Sequence, residues 1–146
     1  MQATSAAQSF GSTTTATASA AATSLQDPFA ALSQHLAMLT RDTAKPNWDS
    51  EQGTPVLPHT WRRVHAFFRT LAEEFSVAPE PHVSASGDGY VHLMWHRENG
   101  DRAVLEIGPG QCYWSVLSVD GAADTEELIT FLRDAVPKLR DFVAVR

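Results

Sequence analysis

From Pro79 to Gly121 the chain alternates apolar and polar residues and is cut at intervals by glycine-bearing turns. A side-chain period of two, punctuated in this way, marks four β-strands joined as successive hairpins. In the second strand Val91, Leu93 and Trp95 share one side, and Tyr90, His92, Met94 and His96 the other. In the third, Ala103, Leu105 and Ile107 oppose Val104 and Glu106. A one-residue slip would turn every side chain over, so register and burial are one question. A three-residue loop Glu98-Asn99-Gly100, with glycine in the left-handed third position, pairs Trp95 with Ala103 and Leu93 with Leu105. Gly87-Asp88-Gly89 likewise pairs Ala85 with Val91 and Val83 with Leu93. A two- or four-residue loop around Pro109-Gly110 brings Cys112, Trp114 and Val116 to the same apolar face. The opposite face then carries His92, Met94, His96, Val104, Glu106, Tyr113, Ser115 and Leu117, a mixed set rather than a polar one.

Around this sheet the spacing predicts amphipathic helices. Asp27 to Thr40 reads as a first helix, with Asp27 as cap, Pro28 in the first turn, and a stripe of Phe29, Leu32, Leu36 and Leu39. Residues 41–57 read as a polar linker, so this helix either packs back on the domain or is offered to a partner. Residues 58–146 form the α+β domain. Its leading helix, Pro58 to Phe75, gathers Trp61, Val64, Phe67, Phe68, Leu71 and Phe75 on one wide face. Arg62, His65 and Arg69 line its other side as a solvated stripe, with Glu73 placed to pair with Arg69. The closing helix is expected from Asp124 or Thr125, with Glu127 at capping-box distance from Asp124 and a kink at Pro137. The expected architecture is α+β: a four-stranded antiparallel meander with two helices on one face, preceded by the first helix.

Composition narrows the functional classes. The chain has 146 residues, enough for one core and a tail. Seventeen acidic residues against eleven basic ones give a formal charge of −6. Residues 1–26 carry no charged side chain, so the imbalance belongs to the folded part. Such a domain repels a phosphate backbone, which excludes nucleic acid as the expected partner, and suits a basic protein. Met1 to Ser24, nearly all Ala, Ser, Thr and Gln, reads as a disordered tail, with a docking segment around Phe10 as the alternative. It lacks the basic-then-apolar order of a signal peptide, and no run is long enough to span a membrane, so the expected location is cytoplasmic. One cysteine excludes an internal disulfide.

The chemically suggestive residues reduce on inspection. His92 and His96 on a strand lie about 13 Å apart, too far to share a zinc ion. His92, Glu106 and Tyr113 fall side by side across three strands, which could serve acid–base chemistry in a cleft but on an open sheet serves as a polar patch. Cys112 faces inward, where a thiol is inert. Neither glycine-rich turn leads into a helix, so neither is a phosphate loop. No catalytic residue, metal or cofactor is expected.

Trp48-Asp49, Pro81-His82-Val83, Asp88-Gly89 and Leu93-Met94-Trp95 together resemble a group of small bacterial proteins with a "WDGYGA…P-x-V…DG…leW" pattern. The resemblance spans about two-thirds of the chain and departs at Ser50-Glu51-Gln52, which replace the glycine and aromatic. It implies no assigned activity, and an accessory setting in plasmids, mobile elements or defence. The helix–meander–helix order is also similar to double-stranded RNA-binding domains, but Asp124, Glu126 and Glu127 stand where those are basic. Secretion-chaperone-like proteins share the order and the acidity. The reading that follows is a non-catalytic protein-binding module, an accessory, immunity or antitoxin-like subunit. Its expected surfaces are the sheet face (His92, Met94, His96, Glu106, Tyr113) and the first helix (Phe29, Leu32, Leu36, Leu39). The alternatives are a small enzyme or ligand binder at His92, Glu106 and Tyr113, a chaperone-like binder, and a homodimer across the open face.

Overall fold

Each hairpin register expected from the glycine positions is present in the computed structural model, which describes residues 28–145. The tail expected over 1–26 and the cap at Asp27 lie outside the described residues. Strands β1 (His82–Ala85), β2 (Val91–His96), β3 (Arg102–Ile107) and β4 (Cys112–Leu117) pair antiparallel in chain order. Gly89 (φ 86°) and Gly100 (φ 90°) occupy the left-handed third positions of the first two loops. Gly108 N donates to Gln111 O at 2.9 Å across Pro109-Gly110 and Ile107 pairs with Cys112, which brings Cys112 and Trp114 to the apolar face as expected.

The sheet has five strands, not four. Residues expected to open the last helix instead form β5 (Thr125–Ile129), antiparallel to β4. Asp124 does not cap a helix. Its Oδ1 accepts hydrogen bonds from Ser118 N (2.8 Å) and Ser118 Oγ (3.2 Å), closing the β4–β5 connection. After a 3₁₀ turn (Leu132–Asp134) the last helix, α3, runs only from Ala135 to Ala144. Pro137 therefore sits in the first helical turn, where its missing N–H costs nothing and no kink is needed. Starting at Thr125 would have placed it in a helix interior, at about 3 kcal/mol.

Helix α2 (Pro58–Glu74) buries Trp61, Val64, Phe67, Phe68 and Leu71 as its periodicity predicts. With Val136, Leu139 and Phe142 of α3 it covers the sheet face that carries Val91, Leu93, Trp95, Leu105, Ile107, Cys112 and Trp114. Full burial of each such leucine or isoleucine contributes about 1.5–3 kcal/mol. Arg97 closes one end of this core: its guanidinium lies 4.0 Å from the Phe142 ring centroid and its Nε donates to Phe142 O at 2.7 Å.

Helix α1 (Ala30–Asp42) packs on the domain, with Phe29 at its N-terminal cap position. Phe29, Leu32 and Leu36 are buried and Leu39 is packed against the same core. Nε2 of His35 donates to Val83 O at 3.0 Å, which satisfies a carbonyl on the sheet's β1 edge. The apolar stripe of α1 thus packs back on the domain, one of the two outcomes expected for this helix. The segment after α1 is bound down as well. Val56 N donates to Thr43 O at 2.9 Å, Trp61 Nε1 to Thr43 Oγ1 at 3.2 Å, and Thr54 N to Gly87 O at 2.7 Å.

Candidate functional site

With α1, α2 and α3 stacked on one face, no helix among the described residues lies over the other face of the sheet. Its residues follow from the registers. One row across the strands is Ser84, His92, Glu106, Tyr113 and Leu128; the next is His82, Met94, Val104, Ser115 and Glu126. His96, Arg102 and Leu117 form a third. The centre is dry: Val104 and Ser115 are only 6% and 8% exposed. Around it Met94, Tyr113 and Leu117 are half-buried, and Leu128 is 58% exposed.

The structure brings His92, Met94, His96, Glu106 and Tyr113 onto this one face, as the alternation predicts. His92 Nε2 lies 3.3 Å from Glu106 Oε1. Tyr113 does not extend that pair into a relay: its hydroxyl donates instead to Gln111 Oε1 at 2.7 Å. Among the described residues no three His, Cys, Asp or Glu side chains come together as a metal site.

Two contributors escape a reading by sequence alone. Leu128 and Glu126 join the face only because residues 125–129 are a strand. Tyr90, at the end of the face, packs its ring against Gly108, where a Cβ would collide with it. Its ring centroid is 6.5 Å from that of Tyr113. Burial, then the neighbouring Tyr113, Asp88, Glu106 and Cys112, raise the Tyr90 phenol above its ordinary pKa. The signal available in the sequence was Gly108 itself, a glycine without positive φ that leaves room for a ring.

Cys112 is 1% exposed on the opposite, core side of the sheet. Burial raises its thiol pKa, against the opposing effect of the Arg63 guanidinium, whose Nη2 donates to Sγ at 2.8 Å. A buried thiol held neutral is no nucleophile at neutral pH. Arg63 also donates to Gly108 O at 2.5 Å and so ties α2 to the β3–β4 loop.

No helix among the described residues is long and apolar enough to cross a membrane. Comparison with protein-family models, with curated proteins and with solved structures gives no significant match for this chain.

Proposed function

We propose that the domain is a non-catalytic protein-binding module whose working surface is the open face of the sheet. The observation that carries this reading is a sheet face that no helix among the described residues covers. It has a dry centre at Val104 and Ser115, and Met94, Tyr113, Leu117 and the 58%-exposed Leu128 lie around it. Contiguous apolar surface rimmed by polar groups is characteristic of interaction sites. The face carries Arg102 against Glu106 and Glu126, with three histidines; with histidine neutral it holds one of the chain's six net negative charges, and the recognition is mainly apolar. The resemblance to accessory proteins of mobile elements supports an accessory, immunity or antitoxin-like subunit acting on a protein partner.

The test is affinity purification of the tagged protein from its native host, beside the Met94→Glu/Tyr113→Glu variant. Two carboxylates on this face should weaken partner binding more than about tenfold while the circular dichroism spectrum stays native. Retained binding removes the face from consideration. A self-associating chain, seen by light scattering and lost in the variant, identifies the partner as a second copy.

A further inference from the structure

On the far side of the molecule, α1 and α2 diverge enough to leave a half-open groove of about 630 Å³. Buried Phe29, Leu36 and Phe68 give it an apolar bed, and exposed Ala37, Ala72, Arg41, His65 and Arg69 line it nearer solvent, with Ser33 and Thr40 between. No carboxylate among the described residues lines it, in a chain whose formal charge is −6. Glu73, one turn beyond Arg69, forms no ion pair with it. The ion pairs among the described residues join Arg41 to Asp42, His92 to Glu106, Arg97 to Asp101, Lys138 to Glu127 and Arg140 to Glu74. Neither Arg69 nor His65 takes part in any of them. The Arg41 pair is mostly solvent-exposed and contributes little.

We propose that this groove binds a small amphipathic anion, an aliphatic chain ending in a carboxylate. Its volume falls in the range of about 300–1,000 Å³ usual for small-molecule sites, and its lining has their character, an apolar bed with a few convergent polar groups. The cations are all on the rim, so the charged end of the ligand stays at the mouth and the chain lies along Phe68 and Leu36. Guanidinium groups match a carboxylate in shape as well as charge, and their pairing is strongest beside a low-dielectric wall. The site is separate from the open sheet face, and neither proposal depends on the other.

The experiment is a titration of the full chain with decanoate, followed by ¹⁵N–¹H correlation spectra, with decylammonium as the control of opposite charge. Decanoate should saturate with a Kd below about 1 mM and shift the amides of Ala37, Arg69 and Ala72, with decylammonium at least about tenfold weaker. Arg69→Gln, an exposed position, should weaken decanoate about tenfold without changing the melting temperature. Ala37→Trp should fill the groove and abolish the shifts. The Met94→Glu/Tyr113→Glu variant should bind decanoate normally. Equal binding of the two head groups, an unaffected Arg69→Gln variant, or shifts centred elsewhere would overturn the proposal. So would a groove that never responds because a second copy or the chain's own first 27 residues fill it.

Discussion

At the scale of single residues, strain gathers in one loop. Asn47, Ser50 and Gln52 hold φ of 58°, 64° and 66°, the left-handed region that disfavours residues with a Cβ. Asn47 uses the conformation, since its Oδ1 accepts a hydrogen bond from Gln52 N at 2.6 Å. The Asp49 carboxylate fills the space inside, accepting from Gly53 N at 2.7 Å and Glu51 N at 3.0 Å. A side chain at Gly53 would meet that carboxylate at 2.5 Å. Neither Ser50 nor Gln52 is a glycine, so this chain pays the strain at both. Relief of about 1–2 kcal/mol, less about 0.4–1 kcal/mol for the freer unfolded chain, predicts that Ser50→Gly stabilises by roughly 0.5–1 kcal/mol in urea unfolding. A loss of stability would show that the serine side chain has a role of its own.

Cys112 makes a second prediction at this scale. Its folded-state pKa is raised by burial, so its contribution is whole below the unfolded pKa. Between the unfolded and the folded pKa the unfolded chain has lost the proton and the native one keeps it. Stability should therefore fall as pH rises past about 8.5. Cys112→Ala should flatten part of that slope, although Tyr90, also raised, adds to it at higher pH. In the native state at pH 7 the thiol should react with a disulfide reagent only as fast as the protein opens.

At the scale of elements, residues 124–144 are the instructive case. Leu128, Ile129, Leu132, Val136 and Leu139 share a helical face, which made one long helix a sound expectation. The sequence contained a counter-signal in Pro137, and the apolar phase persisting across it obscured that signal. In the structure the exposed Leu128 and Phe131 show that the phase is broken before α3 begins. Glu127, on the core side of β5, reaches Lys138 of α3 at 2.6 Å, a pair between two elements rather than within one helix. Because Pro137 lies in a first turn, Pro137→Ala should change stability by no more than about 0.5 kcal/mol. A continuous helix kinked at that proline would instead gain about 3 kcal/mol from the same substitution.

Among the described residues of the molecule, three helices on one face leave the other face of the sheet and the groove between α1 and α2 as distinct surfaces. The sheet face was legible residue by residue, since a period of two places His92, Met94, His96, Glu106 and Tyr113 together whatever packs elsewhere. The groove was not legible. Its rim joins Arg41, at the end of one helix, to His65 and Arg69 in the next, and no local pattern records how far apart two helices will sit.

The hairpins between residues 82 and 117 were determined by sequence alone. Alternation sets the faces, and glycines at left-handed positions set the lengths of the first two loops, both through interactions between residues close in the chain. Tertiary structure alone decided two things. Residues 125–129 show no period of two, and pairing them with β4 satisfies backbone groups that its edge would otherwise leave without partners. The stripe on α1 would suit an external partner as well as the chain's own core. It lies against the core because burying Phe29, Leu32 and Leu36 removes apolar surface from water at no cost of association.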